Sequence, residues 1–134
     1  MKKFDLCTGE ESEDPDDSTG NDMWLDEQWL YYDSCNGTSG LFLPDPVIFD
    51  FIDFLKYVTE SHHGIEMETP PLFTGKETNY HFWSDEHDED FHVNIGMRGC
   101  LFISVFNMNL DVVASLIEYL ETAANLMYRS AKLN

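Results

Sequence analysis

The sequence predicts an α+β fold in which two helices pack on an antiparallel sheet of about five strands. Apolar residues recur at alternating three- and four-residue steps over 46–60 and 109–131, which is typical of amphipathic helices. Apolar and polar residues alternate strictly over 91–97, which is typical of a strand with one face in the core. The predicted order of elements is ββα(β)βββα, and the long helix comes last.

The first 22 residues are predicted to form an acidic tail or loop, and residues 23–134 a single α+β domain. Seven acids lie between Glu10 and Asp22, among Ser, Thr, Gly and Pro. Pro15 and Gly20 oppose a helix, and no apolar period supports a strand. The alternative is an acidic arm that becomes ordered on a basic partner.

An aromatic segment follows and is predicted to form the first hairpin. The Asn-Gly dipeptide at 36–37 is a strong two-residue turn signal, with aromatic residues before it at 24–32 and an apolar return at 41–43. The Pro-Asp-Pro run at 44–46 ends that strand, and its acid is a suitable N-cap for the helix at 46–60.

The second half of the chain is predicted to add three or four strands and the last helix. A short strand is expected at 64–69, and the strand at 79–84 is expected to pair with 91–97 across an acidic turn at 85–90. Another strand, at 101–105, leads into the last helix. The apolar stripe of that helix is wider than one sheet contact needs, which predicts a homodimer through its Tyr119 and Leu126 as an alternative use.

Charge is the most unusual property of the sequence. The chain has 134 residues, with 26 acids against 7 bases, and a formal net charge of −19. Direct binding to nucleic acid is not expected, because phosphate contacts need Lys and Arg. An anionic membrane surface is excluded by the same argument. A basic protein partner is favoured, since opposite fields steer encounter.

The cysteines and the hydropathy pattern predict a cytoplasmic protein. Cys7, Cys35 and Cys100 are odd in number and widely spaced, which indicates free thiols in a reducing compartment. The acids that follow Lys2 and Lys3 leave no apolar core for a signal peptide. No run of about 18 apolar residues is long enough for a membrane span.

No motif for catalysis or for a cofactor is found. The glycine-rich nucleotide loops, the nucleophile elbow and the helical zinc signature are absent, and the acidic run fails the calcium-loop pattern at its first ligand. We therefore expect no enzyme activity and no cofactor. A metal-binding module remains an alternative, because histidines with Asp85 or Asp88 offer zinc ligands; the histidines are His62, His63, His81, His87 and His92.

Size, acidity and the missing motifs together predict a small acidic inhibitor of a basic, nucleic-acid-acting protein. The favoured form is an antitoxin-like immunity protein to a nuclease-type toxin. The alternative is a phage-type nucleic-acid mimic with an anti-defence, anti-CRISPR-like role, and an acidic accessory protein would share the same composition. A mimic needs carboxylates in long rigid rows, whereas here the acids form patches beside aromatics, as in a protein interface.

The predicted partner-binding residues are aromatic side chains and the carboxylates beside them. Aromatics are expected to act as anchors and carboxylates as a charged rim that controls the association rate. The set is Trp24, Asp26, Glu27, Phe49, Asp50, Asp53, Tyr57, Trp83, Asp85, Glu86, Asp88, Glu89 and Asp90.

Overall fold

The α+β class predicted from the sequence is confirmed. The structure is a computed structural model that describes residues 2–13, 21–34, 37–45, 47–61, 66–68, 80–87, 90–97 and 100–128. The elements in this part of the chain are β1 (Lys3–Asp5), β2 (Glu11–Ser12), β3 (Asp22–Asp26), β4 (Trp29–Ser34), β5 (Gly37–Phe42), α1 (Val47–Ser61), β6 (Glu66–Glu68), β7 (Tyr80–His87), β8 (Asp90–Met97), β9 (Cys100–Met108) and α2 (Leu110–Tyr128).

The strands form two antiparallel sheets. Sheet A has five strands in the order β2-β1-β3-β4-β5, and sheet B has four in the order β6-β7-β8-β9. The sequence predicts one sheet of about five strands, but the predicted strands before α1 lie in sheet A and those after it lie in sheet B. Alternation within a strand identifies the strand but does not show which neighbour it bonds to, so the division into two sheets is not readable from the pattern.

The N-terminal segment contributes two strands, which corrects the tail or loop expected at 1–22. β1 lies between β2 and β3, and Phe4 pairs with Met23 of β3. Phe4 is 1% exposed and Leu6 is 2% exposed, so these two residues anchor the segment in the core. The average composition of the segment hides them, because the acids that surround them dominate it.

The β3–β4 hairpin turns through Glu27 and Gln28, both of which have positive φ angles of 55° and 137°. Two-residue hairpin turns of this kind favour Asn and Gly, because other side chains are strained there. Two backbone hydrogen bonds hold the turn, from Gln28 N to the carbonyl of Asp26 (3.0 Å) and from Leu43 N to the carbonyl of Gln28 (2.7 Å). The missing Asn-Gly signal explains why this hairpin is not predicted.

Relief of this strain should stabilise the fold. Gln28→Gly is expected to raise the free energy of unfolding by about 1 kcal/mol, because glycine adopts positive φ without strain. Gly37 has a similar φ of 123° and open space around its missing Cβ, so Gly37→Ala is the matched control and should lower stability by a similar amount. Urea unfolding of both variants measures the pair. Equal effects of the same sign would contradict the assignment of strain to Gln28.

The core lies between the sheets and the two helices. The apolar residues of α1 recur at helical spacing and form its buried side, where Phe51 and Phe54 are fully buried. Their rings contact Phe82 of β7, with centroids 5.3 Å and 5.8 Å from its ring, which fastens α1 to sheet B. This three-ring cluster therefore joins the first helix to the second sheet.

The last helix begins as the sequence predicts. The Oδ1 of Asn109 accepts a hydrogen bond from Val112 N at 2.9 Å, the geometry of an N-cap. Leu116 and Leu120 are fully buried, and α2 packs against α1. Among the described residues, neither helix combines the length and the hydropathy that crossing a bilayer requires.

Three tyrosine hydroxyls join distant parts of the chain by donating hydrogen bonds to backbone carbonyls. Tyr80 donates to Phe42, which links sheet B to sheet A. Tyr119 donates to Lys2 at 2.7 Å, and Tyr128 donates to Leu43 at 3.1 Å, so α2 holds both the first strand and the end of β5. Burial raises the pKa of all three hydroxyls, and that of Tyr119 reaches about 12.

Candidate functional site

The outward face of sheet A carries a group of aromatic side chains. Along β3 and β4, residues alternate between the core and the opposite face, so Leu25 and Leu30 are buried while their neighbours point outward. The outward aromatic residues come from three adjacent strands and are Trp24, Trp29, Tyr31 and Phe42. These four residues are called the aromatic face below.

The aromatic face is made of two ring pairs that lie across neighbouring strands. Trp24 stacks on Tyr31, with centroids 5.4 Å apart and an angle of 20° between the planes. Trp29 packs against Phe42 at 5.6 Å, and these two side chains are 43% and 38% exposed. Gly40 makes room for this packing, since a Cβ there would stand 3.0 Å from the ring of Tyr31. Large apolar groups are thus presented to solvent in a fixed geometry.

Carboxylates border the aromatic face. Asp26 pairs across the strands with Trp29, and Glu27 is exposed in the strained turn beyond it. Asp33 lies on the same outward face, and its Oδ1 accepts a hydrogen bond from Thr38 at 3.0 Å. These three residues are called the acidic rim. Apolar anchors inside a charged border are the usual anatomy of a protein-binding surface.

A further row of aspartates crosses sheet A, but most of it is not available to a partner. Asp5, Asp22 and Asp33 are cross-strand neighbours on successive strands. Asp5 and Asp22 are 6% and 5% exposed, and the Oδ1 of Asp5 accepts hydrogen bonds from the backbone N–H groups of Cys7 and Thr8. Asp5 therefore stabilises the turn after β1 and does not present a charge on the surface.

Four of the predicted partner-binding residues lie on α1, away from the aromatic face. Asp53 and Tyr57 are exposed, and Tyr57 is 54% exposed. Phe49, predicted as an anchor among acids, is half-buried and packs edge-on against Tyr128 at 6.3 Å. Asp50 is partly buried, and within the described part of the chain its Oδ2 is buried without a hydrogen-bond partner. This helix surface is therefore less like an interface than sheet A.

The environment of Asp50 predicts a pH-dependent contribution to stability. Burial, and secondly the like charge of Asp53, raise the pKa of Asp50 above its ordinary 3.8. The native state therefore binds the proton more strongly than the unfolded chain. The stabilisation this gives is present below about pH 3.8 and is lost as the pH rises through the native pKa. At neutral pH, ionised Asp50 destabilises the fold.

Asp50→Asn should consequently raise the melting temperature at pH 7 and have little effect near pH 3, because the wild-type carboxyl is then protonated in both states. Thermal unfolding across that pH range measures the difference. Asp53→Asn is the companion variant: by removing only the like charge it should give a smaller gain of the same sign. A gain for Asp50→Asn that does not change with pH would contradict this account.

The acidic hairpin of sheet B differs from the prediction in the position of its turn. Asp85 and Glu86 lie within β7, where they pair with His92 and Phe91, and Asp90 begins β8. Residues 85–87 and 90 of the expected turn are therefore in strands. Asp88 and Glu89 lie outside the described residues. Trp83 is half-buried, and its ring lies 4.7 Å from that of His81.

The β7–β8 register also separates the histidines that would have held a metal. His81 pairs with Gly96 and His92 pairs with Asp85, so the two histidine positions are four residues apart along the strand. At about 3.3 Å per residue this is roughly 13 Å, too far for one ion. No group of three potential ligands is found in the part of the chain that the structure describes. His62 and His63 lie outside that part.

The residues suggested for a homodimer through the last helix have different surroundings. Tyr119 is only 8% exposed, and its ring centroid lies 5.6 Å from that of Phe4 of β1. Its side chain is therefore packed inside the protein and is not presented to a second copy. Leu126 is 66% exposed at the edge of a groove that Lys2, Glu11 and Glu118 also line. Tyr119 is therefore corrected from an interface residue to a core residue.

The predicted partner-binding set contains Trp24, Asp26 and Glu27 from this face but not Trp29, Tyr31 or Phe42. The sequence does contain a signal for two of these residues, since Trp29 and Tyr31 alternate with Leu30 and Tyr32 at the two-residue period of a strand.

Comparison with protein-family models, with curated proteins and with solved structures gives no match.

Proposed function

We propose that this chain is a small, acidic, non-catalytic protein that binds and neutralises a basic, nucleic-acid-acting protein. The favoured form is an antitoxin-like immunity protein that covers the nucleic-acid-binding surface of a nuclease-type toxin. The observation that carries the proposal is the aromatic face with its acidic rim, in a chain of net charge −19.

The two parts of this surface have separate physical roles. Large aromatic side chains that are already ordered lose little entropy on binding and supply most of the affinity of a protein interface. Carboxylates around them raise the rate of encounter with a positively charged protein. A nuclease domain is such a protein, because it must neutralise phosphates with Lys and Arg.

The arrangement of the acids favours an immunity protein over a nucleic-acid mimic. A mimic should present exposed carboxylates in long rows at the spacing of phosphates. On sheet A the cross-strand row of aspartates has two buried members, Asp5 and Asp22. Two accessible acids of this sheet, Asp26 and Glu27, lie beside Trp29 instead of in a row. Anchors and charges are thus mixed in one patch.

The test is capture of the partner with a matched negative control. The wild-type protein and a variant with Trp29→Ala and Phe42→Ala are immobilised and incubated with lysate of the source organism at low salt. We expect a basic protein to be retained by the wild type alone and to elute as salt is raised. We also expect its nuclease activity to disappear when one equivalent of this chain is added.

Two outcomes would contradict the proposal. One is that no basic protein distinguishes the wild type from the variant. The other is that a retained nuclease stays fully active in the complex. Retention of several unrelated nucleic-acid-binding proteins, each equally inhibited, would favour the mimic in place of the immunity protein.

A further inference from the structure

The aromatic face already holds a cation, and that cation belongs to the chain itself. The Nζ of Lys3 lies 4.1 Å from the ring centroid of Trp24, well within the range of a cation–π interaction. The β1–β3 register places Lys3 beside Trp24 on the outward face of sheet A. Trp24 therefore stands between the ammonium group of Lys3 on one side and the ring of Tyr31 on the other.

This position suits an arginine better than the lysine that occupies it. A guanidinium is planar, stacks flat on an aromatic ring and is more weakly hydrated than an ammonium. Its N–H groups also need acceptors, and Asp26 is two residues along β3 on the same face as Trp24. Lys3 carries only a point charge on a flexible stem, so displacing it from Trp24 removes little interaction energy.

We propose that Trp24 is the binding site for one arginine side chain of the partner, and that Lys3 is an internal substitute which this arginine displaces. The proposal rests on the proposed function, because it names the group that a basic partner would insert into the aromatic face. Charge complementarity supports arginine as the occupant, since carboxylates border the site and the chain as a whole is strongly acidic. In the free protein Lys3 covers Trp24 and weakens binding by competition.

Lys2 provides a matched control for Lys3. Both substitutions to alanine remove one positive charge, so any general electrostatic gain is the same for the two variants. Lys2 lines the groove beside Glu118 of α2, whereas Lys3 lies over Trp24 on the other side of sheet A. A difference between the two variants therefore reports the contact with Trp24 and not the net charge.

The experiment titrates hexa-arginine and hexa-lysine peptides into the wild type, Lys3→Ala, Lys2→Ala and Trp24→Leu at fixed low salt. Affinity is measured by calorimetry, and the indole N–H signals of the tryptophans are followed by NMR. Lys3→Ala should bind hexa-arginine about 2- to 5-fold more tightly than Lys2→Ala, the range of one exposed cation–π contact. Hexa-arginine should shift the Trp24 signal. The wild type should bind hexa-arginine more tightly than hexa-lysine, and Trp24→Leu should abolish this preference.

Equal affinities for Lys3→Ala and Lys2→Ala would overturn the proposal, as would binding that leaves the Trp24 signal unmoved. Failure of hexa-arginine to bind any form would also overturn it. None of these results decides the proposed function, which depends on capture and inhibition of a whole protein. A captured nuclease combined with identical Lys3→Ala and Lys2→Ala titrations would retain the function and remove only the arginine site.

Discussion

Replacing Phe82 by alanine is expected to lower the free energy of unfolding by about 3–5 kcal/mol, the range for removing a buried phenyl ring. Phe82 is fully buried and contacts both Phe51 and Phe54 of α1. Removal of its ring opens a cavity and at the same time removes these ring contacts between α1 and sheet B. Since a domain of this size has a total stability of about 5–15 kcal/mol, this loss is a substantial fraction of the total.

Urea unfolding followed by circular dichroism measures this loss. Phe82→Leu keeps most of the volume and should lose less, which separates cavity formation from a general sensitivity of β7. Tyr57→Ala is the surface control: at 54% exposure its side chain should change stability by less than about 0.5 kcal/mol. If Phe82→Ala lost no more than Tyr57→Ala, the three-ring cluster would not hold α1 to sheet B.

Replacing Trp29 by alanine is expected to weaken binding of the partner by about 2 kcal/mol, or roughly 30-fold in Kd, with little change in stability. Trp29 is exposed, contacts Phe42 and lies next to Asp26 of the acidic rim. Such an aromatic residue can become fully covered in the complex while a charged border excludes water from around it. The loss should appear mainly in the dissociation rate.

Surface plasmon resonance with the captured partner measures both rates. Leu126→Ala is the control, because Leu126 is a more exposed apolar side chain on a different surface and should leave Kd unchanged. Asp26→Lys with Glu27→Lys should instead slow association and flatten its salt dependence. Trp29→Ala binding as tightly as Leu126→Ala would exclude the aromatic face as the interface.

Local signals in the sequence were enough to place both helices and several strands. Asn109 caps α2 as expected, and the predicted hairpin strands pair as β4 and β5, although Gly37 lies in β5 opposite Ser34 and not in the turn. Both predictions depend on residues close together in the chain. The β3–β4 hairpin was missed for the same reason, because Glu27 and Gln28 adopt a turn that their side chains disfavour.

The aromatic face required information that lies between strands. Trp24 and Tyr31 stack only because β3 and β4 pair in one register, and a shift of one residue would turn either ring toward the core. Phe42 reaches Trp29 from a third strand, beside the space left by Gly40. The sequence thus identified Trp24 of the aromatic face, whereas strand pairing determined which other rings meet it.

The hydroxyl links of Tyr80, Tyr119 and Tyr128 have a consequence in alkaline solution. A phenolate cannot donate a hydrogen bond, so ionisation breaks each link to its carbonyl. Stability from the raised pKa values is complete below about pH 10 and is lost as the pH rises, through about 12 for Tyr119. Base should therefore release the first strand from the last helix.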